Sequence, residues 1–348
     1  MIKNPINCNP YIIAEISSNH NGAITNAKNL ILDAKKYGAH AVKLQTFTPD
    51  AMTIKSNRSE FKIKSGLWKG KNLWDLYSKC STPYAWHKIL FDYAKKIGIT
   101  CFSSPFDAEG VNLLEKLNIP FYKIASPEIN HIPLIKKISQ TKKTIVMSTG
   151  MASIKEIDLA YKTAINNGAK NVILLYCVSK YPAVMEDYNF NNIKILKERY
   201  KCKVGFSDHS IDNKVATAAI IAGAEVLEKH IALKNQPNSP DYEFSLKGVE
   251  IKDYITNAKE ISSTINKNYF YRSIEENKNL IFRRSIYAVQ NIKKGEVFSE
   301  KNIKIIRPAL GLEPRFYERL IEKKAPAYIK NGTPLKRSLL KALNINLK

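Results

Sequence analysis

The sequence has few of the residues from which disulfide frameworks and zinc clusters are built. It contains five cysteines in 348 residues, scattered along the chain, and no Cys-x-x-Cys pair occurs. An odd number of dispersed thiols argues against a disulfide scaffold and against a structural zinc site. We expect reduced cysteines, with Cys101 and Cys177 as ordinary strand residues.

Long apolar runs are also missing. No stretch approaches the roughly 18 apolar residues that a membrane-spanning helix requires. The first ten residues have neither the apolar centre nor the small-residue cleavage site of a signal peptide. These features predict no membrane span and a cytoplasmic protein.

Acidic residues are scarce relative to basic ones. The chain has 55 Lys and Arg against 31 Asp and Glu, a formal net charge of +24. Such a surface attracts nucleic acids, acidic polysaccharides and phosphorylated metabolites alike. No helix-turn-helix, zinc finger or aromatic-basic RNA motif accompanies the charge, so we expect no nucleic-acid partner. A basic binding protein for nucleic acid or polysaccharide stays the alternative from another class.

What the sequence does have is an alternation of short apolar runs with longer helical patterns, which is typical of βα units around a parallel sheet. No Gly-x-Gly-x-x-Gly follows the first run, so a dinucleotide-binding fold is disfavoured. Eight runs favour a closed (β/α)₈ TIM barrel. They span residues 12–18, 41–47, 100–105, 121–126, 144–150, 171–178, 203–209 and 225–231.

The pattern divides the chain into a barrel domain over residues 1–266, a polar linker over 267–284 and a small mainly-β domain over 285–348. Within the barrel, a long insert at residues 48–86 is expected to cover the active-site mouth. In the small domain one half-motif occurs twice, at 292–296 and 329–333, with a glycine at a probable tight turn each time.

Active sites of such barrels lie where strands end, and the strand ends here are rich in polar residues. Lys43 and Lys123 interrupt apolar strands, where an unpaired charge costs several kcal/mol. They suit a bound phosphate and carboxylate. The alternative is that each lysine pairs with a neighbouring carboxylate.

Two histidines, His209 and His230, end consecutive strands and are expected to lie side by side. Two neutral imidazoles suit Mn²⁺, Co²⁺, Fe²⁺ or Zn²⁺, and Mg²⁺ less well, with positions left for water and substrate. The remaining histidines fall elsewhere: His40, His87 and His131 are expected to be structural, and His20 can be read either way.

Several motifs together resemble the sialic acid synthase family over nearly the whole chain. They are Ala14-Glu15-Ile16-Ser17-Ser18-Asn19-His20, Val42-Lys43-Leu44-Gln45-Thr46, Phe102-Ser103-Ser104-Pro105-Phe106, Tyr122-Lys123-Ile124-Ala125-Ser126, Ser148-Thr149-Gly150-Met151 and Ser207-Asp208-His209-Ser210. The segment from Arg284 through Pro308 is similar to that family's antifreeze-like (SAF, β-clip) domain.

The resemblance implies roles for the matching residues. Phosphoenolpyruvate is bound by Lys43, Ser104, Lys123, Ser126, Ser148 and Ser207. A divalent metal (Mn²⁺, Mg²⁺ or Co²⁺) is held by His209 and His230. The open-chain amino sugar is contacted by Gln45, Phe106, Tyr181, Asp241 and Arg307. The catalytic groups are Glu15, Lys43, Lys123 and Glu128.

Within the family, the stretches around Gly66-Leu67-Trp68 and Arg307-Pro308 resemble the branch that makes pseudaminic acid. The implied reaction condenses phosphoenolpyruvate with 2,4-diacetamido-2,4,6-trideoxy-L-altrose; the N-acetylneuraminate and legionaminate branches share the chemistry. Ser179 departs from the neuraminic branch, which has Asn there. The resemblance also implies a domain-swapped homodimer in which Arg307 arrives from the partner.

A Schiff-base aldolase on the same barrel is the rival reading among enzymes. It would use Lys43 or Lys123 as a nucleophile in a desolvated pocket. Such an enzyme does not need the paired histidines.

Overall fold

The chain divides into two compact units, residues 1–266 and 267–348. The structure is a computed structural model that describes residues 9–265 and 270–346. The first part of the predicted linker, residues 267–269, lies outside the described residues. Its remainder contains a short helix and a 3₁₀ turn rather than extended chain. No helix in the described ranges is long and apolar enough to cross a bilayer.

The first unit is a closed parallel barrel, as the eight apolar runs predict. Consecutive strands pair in order, and the first strand pairs with the eighth. The strands are β1 (Tyr11–Glu15), β2 (Ala41–Thr46), β3 (Thr100–Pro105), β4 (Phe121–Ile124), β5 (Thr144–Ser148), β6 (Asn171–Cys177), β7 (Val204–Asp208) and β8 (Val226–Ala232), followed by a two-residue β9 (Leu246–Lys247) beside β8.

The helices of this unit accompany the strands, and the second and third of them lie in the insert after β2. They are α1 (Ile24–Tyr37), α2 (Pro49–Met52), α3 (Leu73–Cys80), α4 (Tyr84–Ile97), α5 (Ala108–Lys116), α6 (Ile132–Ser139), α7 (Ile154–Asn166), α8 (Asn191–Tyr200), α9 (Asn213–Ile221) and α10 (Val249–Ile265). Short 3₁₀ helices at Ser59–Phe61, Ser126–Asn130, Met185–Asp187 and Tyr242–Phe244 lie in the loops.

Local sequence signals begin and end these helices. Ser153 and Glu156 form a reciprocal capping box at the start of α7, with Ser153 N–H donating to Glu156 Oε2 at 2.7 Å. Helices α1 and α4 end at Gly38 and Gly98, whose φ angles of 94° and 73° lie in the left-handed region. A glycine adopts this conformation without the strain that a side chain brings.

The barrel has two apolar layers. Buried side chains between strands and helices form the larger core, while a second cluster fills the barrel interior. That inner cluster includes Phe102 and Phe121, whose ring centroids are 4.2 Å apart. Because apolar side chains occupy the interior at the level of Phe102 and Phe121, the polar residues of the strands collect at the carboxyl ends.

The second unit has few regular strands. Strand β10 (Ser285–Ala288) pairs antiparallel with β11 (Ile303–Ile306), and the helices are α11 (Ile274–Lys278), α12 (Tyr317–Leu320) and α13 (Arg337–Ala342). 3₁₀ helices span Asn279–Phe282 and Pro314–Phe316. An apolar cluster with Phe298 and Phe316 forms its own core.

The two half-motifs predicted in this unit pair with each other. Ile292 N–H donates to the Ile329 carbonyl at 2.8 Å, and Ile329 N–H donates back at 2.9 Å. Gly295 and Gly332 follow at matching positions with φ angles of 82° and 81°. The repeat is therefore an internal pseudo-symmetry of the unit's backbone.

Candidate active site

A cavity of about 350 Å³ lies at the carboxyl ends of the barrel strands. Most of the residues predicted from the sequence line it: Lys43, Gln45, Phe106, Lys123, Ser126, Ser148, Tyr181, Ser207, His209, His230 and Asp241. Four do not. Glu15 and Ser104 are fully buried, Glu128 lies in a 3₁₀ helix after β4, and Arg307 is exposed on the second unit.

Strand register brings the charged residues together. Glu15 on β1 is aligned with Lys43 on β2 and with His230 on β8, and Glu228 is aligned with Ser207 on β7. Neighbouring strands in a sheet are about 4.8 Å apart, so aligned inward-facing side chains contact one another. Residues more than 200 positions apart in sequence thus form one layer.

The two buried lysines pair with two buried glutamates. Lys43 Nζ is 2.6 Å from Glu15 Oε2 and 3.7 Å from Glu228 Oε2. Lys123 Nζ donates to Glu228 Oε1 at 2.7 Å. The sequence left open the alternative that each lysine pairs with a neighbouring carboxylate. Both lysines do so. Glu228 received no role from the sequence, although Val226-Leu227-Glu228 shows the same signal of a charge within an apolar strand.

Burial and charge act in opposite directions on these groups. Burial alone lowers the pKa of Lys43, but Glu15 and Glu228 outweigh it and raise that pKa above its usual value. Burial lowers the pKa of Lys123. Glu228 raises that pKa and the charge of Lys43 lowers it, so the pKa stays below its usual value. Burial raises the pKa of Glu228, yet Lys123 and Lys43 outweigh it and hold that pKa well below its ordinary value. The layer is a coupled charge network that an anionic ligand could enter.

Serine hydroxyls surround this network. Ser207 Oγ donates to Glu228 Oε1 at 3.0 Å, and Ser126 Oγ accepts from Gly150 N–H at 3.1 Å. The buried hydroxyls of Ser104 and Ser148 have no hydrogen-bond partner within the described chain. Buried polar groups are nearly always paired, so the orphaned hydroxyl of Ser148, which lines the cavity together with both lysines, indicates room for a ligand with acceptor oxygens.

Gly150 is needed at its position in this pocket. A Cβ atom there would overlap Ser179 Oγ and lie 2.8 Å from Ser126 Oγ. Neither hydroxyl could keep its place. The strand-end turn therefore admits glycine alone without displacing a serine predicted to bind substrate.

The paired histidines lie side by side, as their spacing predicts. The ring centroids of His209 and His230 are 5.5 Å apart. His209 Nδ1 is 2.9 Å from the Val178 carbonyl, a contact that needs the proton on Nδ1 and leaves the lone pair on Nε2. His230 Nδ1 is buried without a hydrogen-bond partner and is 3.5 Å from Asp241 Oδ2.

These features fit a divalent metal in an open site. The carbonyl that orients His209 is the arrangement usual for a ligating imidazole. Within residues 9–265 and 270–346, no cluster of three or more His, Cys, Asp or Glu side chains is placed to hold an ion. A metal held by two imidazoles would take its remaining ligands from substrate and water.

The loop after β8 is attached to the loop after β1. Asn19 donates to the Ile231 carbonyl and to Ser245 Oγ, both at 2.8 Å, and its Oδ1 accepts from Asp241 N–H at 3.1 Å. Ser18 Oγ also donates to Asp241 at 3.2 Å. Asn19 thereby positions the carboxylate of Asp241 over His230, a role that the sequence reading did not assign.

A second buried ion pair lies on the outer face of the same two strands. Asp208 and Lys229 are aligned in register, and Asp208 Oδ1 is 3.5 Å from Lys229 Nζ. Asp208 also accepts from Ser210 Oγ at 2.6 Å and from Tyr254 at 3.2 Å. Because side chains alternate along a strand, this pair lies directly behind His209 and His230 and holds the two strand ends together.

Glu128 differs from the other acidic groups. Burial raises its pKa to about 7, and the charges of Lys123 and Lys43 only partly oppose this. A carboxyl with a pKa near neutrality can donate or accept a proton under ordinary conditions. Since Glu128 does not line the cavity, its catalytic role stays a prediction.

The histidines expected to be structural do contact the protein frame. His40 Nδ1 accepts from Ile12 N–H at 2.9 Å, His87 contacts Thr46 at 2.8 Å, and His131 caps α6. His20, which could be read either way, accepts from Gly22 N–H and lies outside the cavity lining. Burial lowers the pKa of His20 and of His87 to about 4, so both are neutral at physiological pH.

The insert at residues 48–86 covers the mouth, as its length predicts. Trp68 donates its indole N–H to the Pro240 carbonyl at 3.3 Å, and its ring is 5.8 Å from that of Tyr181. The ring of Tyr181 lies 4.4 Å from that of His209. An aromatic chain thus connects the insert to the histidine pair.

Fold and site define a class of protein: a (β/α)₈ barrel enzyme with a cationic, serine-lined pocket beside two histidines, followed by a small β domain. The chain belongs to the NeuB family, whose model matches residues 30–269, and the SAF domain model matches residues 283–341. It is therefore a carbon-carbon bond-forming transferase that uses phosphoenolpyruvate, as the resemblance implied.

Relatives of known name match across most of the chain. A pseudaminic acid synthase of Campylobacter jejuni is 40% identical over 328 residues, 94% of this chain and 96% of that one. An N,N'-diacetyllegionaminic acid synthase of the same species is 38% identical, over 90% of this chain and 94% of that one. The crystal structure of an N-acetylneuraminic acid synthetase from Leptospira borgpetersenii, in complex with citrate, has a TM-score of 0.70 at 27% identity, covering 79% of this chain and 90% of that one.

Proposed function

We propose that the chain condenses phosphoenolpyruvate with 2,4-diacetamido-2,4,6-trideoxy-L-altrose and water to give pseudaminic acid and phosphate. One observation carries the proposal: the cavity combines two buried lysines and the unpartnered hydroxyl of Ser148 with a histidine pair. The lysine and serine side chains suit a small phosphorylated carboxylate. The histidine pair suits a carbonyl compound that a metal can polarise.

The lysine and serine layer would bind phosphoenolpyruvate. Lys43 and Lys123 already neutralise two carboxylates, so an incoming phosphate and carboxylate exchange one set of anionic partners for another. Ser104 and Ser148 hydroxyls, unpartnered without ligand, would donate to its oxygens. Because the histidine pair lines the same cavity, the enol bound there would lie beside it.

The reaction forms one bond between C3 of phosphoenolpyruvate and the aldehyde carbon of the sugar, whose oxygen takes up a proton. Water adds at C2 and loses a proton. The carbon-oxygen bond to phosphate then breaks, and the C2 hydroxyl becomes the ketone as its proton passes to the departing phosphate. The buried carboxylate of Glu15, 2.6 Å from Lys43, would stabilise positive charge developing at C2. Glu128 is the candidate to exchange a proton with water.

A divalent metal would be held by Nε2 of His209 and by the imidazole of His230, with Mn²⁺, Co²⁺ or Mg²⁺ as candidates. When bound, it supplies Lewis-acid polarisation of the aldehyde. Replacing His209 or His230 with alanine should lower Mn²⁺ affinity at least about tenfold, measured by calorimetric titration of the unliganded protein. His131→Ala is the control. Unchanged Mn²⁺ binding in both site variants would exclude this metal site.

The test of the reaction is phosphate release. Purified protein is incubated with phosphoenolpyruvate, Mn²⁺ and one sugar at a time, with and without chelator. The three sugars are the altrose sugar, N-acetylmannosamine and 2,4-diacetamido-2,4,6-trideoxymannose. Chelator-sensitive release with the altrose sugar alone supports the proposal. If phosphate is released with none of the sugars, the proposed synthase function is excluded.

Legionaminic acid synthesis is the second candidate. The 38% identity to a legionaminic acid synthase is close to the 40% identity to a pseudaminic acid synthase, so overall identity does not separate the two sugars. The trideoxymannose arm of the same experiment does. Release with that sugar alone keeps the mechanism and replaces the product.

We also propose that the active form is a homodimer in which the SAF unit of one chain reaches the barrel of the other. Arg307 is exposed and follows the last residue of β11 directly. An arginine presented in this way could contact a sugar oxygen of a partner's substrate. Arg307→Ala should raise the KM for sugar with little change in the KM for phosphoenolpyruvate. A monomer in analytical ultracentrifugation with full activity would exclude the dimer.

A further inference from the structure

The cavity has two chemically different sides. The strand ends contribute lysine, serine, histidine and carboxylate groups, whereas the insert contributes mainly carbon. Four insert residues, which we call the insert wall, have neither an N–H nor an O–H in their side chains: Met52, Ile63, Leu73 and Leu76. Phe47 and Phe106, with ring centroids 5.2 Å apart, extend this apolar side from the ends of β2 and β3.

The polar groups of the insert are few near this wall. The indole N–H of Trp68 is already donated to the Pro240 carbonyl. Leu76 is buried, and Met52, Ile63 and Leu73 are half-buried, so they form a fixed surface rather than exposed tips. The Tyr77 hydroxyl and the Cys80 thiol of the insert also line the cavity, but a ligand group that contacts the four wall side chains gains no hydrogen bond from them.

The reaction determines which end of the sugar meets this wall. Given the proposed function, the aldehyde must lie at the strand ends, beside the histidine pair and the lysines. The far end of the six-carbon chain then extends away from the strand ends, toward the boundary of the cavity that the insert forms. That boundary is the insert wall.

A methyl and a hydroxymethyl group behave differently against such a surface. The methyl group gains from leaving water, whereas the hydroxyl loses hydrogen bonds to water without replacement. An acetamido group needs partners for its N–H and C=O, which the four wall residues do not provide. The terminal carbon of a 6-deoxy sugar is the group that matches the wall.

We infer that the insert wall binds the C6 methyl group and makes the enzyme selective for 6-deoxy amino sugars over their 6-hydroxy counterparts. The inference rests on the proposed function and deepens it, because it states which part of the sugar is recognised and by which residues. An apolar pocket rejects an added hydroxyl by about ten- to a hundredfold in kcat/KM.

The experiment uses two sugars that differ at C6 alone, 2,4-diacetamido-2,4,6-trideoxy-L-altrose and 2,4-diacetamido-2,4-dideoxy-L-altrose. Phosphate release is measured with the full chain, phosphoenolpyruvate and Mn²⁺, and the ratio of the two kcat/KM values is the readout. We expect the deoxy sugar to be preferred about tenfold or more. Turnover of both sugars with a ratio near one overturns the inference alone, whereas release with neither overturns the proposed function and the inference together.

Variants identify the residues responsible. Leu73→Gln places an amide on the wall and should reduce the ratio about fivefold or more by accepting the hydroxyl. Met52→Gln tests the same idea at a second position. Leu67→Gln is the matched control, since Leu67 is exposed in the same insert and does not line the cavity. If both wall variants, folded by circular dichroism, keep the ratio seen with Leu67→Gln, the wall does not select the sugar.

Discussion

The barrel and the C-terminal unit place their charges in opposite surroundings. At the barrel mouth, Lys43 and Glu228 are each only 4% exposed, although they form part of a charge network. In the C-terminal unit, Arg315 and Glu313 pair at 3.0 Å with more than half of each side chain in water. Burying an ion costs several kcal/mol, and a surface pair returns little. The barrel therefore holds its buried charges where a ligand would bind, whereas the stability of the C-terminal unit comes from its apolar core.

The largest effect is expected at the centre of the buried network. Glu228→Ala leaves Lys43 and Lys123 without a shared carboxylate, so the barrel should lose about 3–5 kcal/mol of unfolding free energy. Hydrogen exchange resolved by peptide reports the barrel separately from the second unit. A loss below about 1 kcal/mol would mean that water or ions already solvate the two lysines, and the contrast with the C-terminal unit would disappear.

The corresponding position in the C-terminal unit is apolar. Phe298 is fully buried in that unit's core, so Phe298→Ala should cost about 3 kcal/mol or more there through lost burial and a cavity. Exchange of barrel peptides should stay unchanged. Equal acceleration of hydrogen exchange in both units would show that they unfold together and that their cores are not independent.

A smaller effect, dependent on pH, is expected from Glu128. Its pKa in the folded chain is raised to about 7, so the folded state holds a proton that the unfolded state has already lost, and stability falls as pH rises from about 4.5 through 7. Glu128→Gln removes this loss. Its unfolding free energy relative to wild type should increase by about 2–3 kcal/mol between pH 5 and pH 8, measured by denaturant titration. A difference independent of pH contradicts the raised pKa.

The smallest effect is expected at the exposed pair. Glu313→Ala removes the partner of Arg315 and should change the stability of the C-terminal unit by less than about 1 kcal/mol, because both groups are already hydrated. Added salt should alter even this small value. A loss comparable to that of Glu228→Ala would remove the distinction between the two regions.

Much of the fold was readable because periodicity is local. The eight predicted strands are present with shifts of at most three residues at their ends, and the insert covers the mouth. The C-terminal unit was harder, since its β character rests on isolated bridges such as the pair of Ile292 and Ile329. Such bridges leave no alternating pattern in the sequence.

Site residues could be predicted from the sequence where a residue type is energetically unfavourable in its surroundings. Lys43, Lys123 and the histidine pair were found because charge or imidazole at a strand end is unusual. Glu228 carries the same signal but received no role, because its meaning depends on being between two lysines.

By itself the sequence determined the barrel, most of the polar residues that line the cavity and, through its motifs, the family. Tertiary structure alone decided which of those residues contact each other: that Glu228 joins Lys43 to Lys123, that Asn19 positions Asp241, and that Asp208 and Lys229 lie behind the histidines. The physical reason is that strand propensity and burial are properties of neighbouring residues. Ion pairs across a closed barrel instead depend on register between strands that lie far apart in the chain.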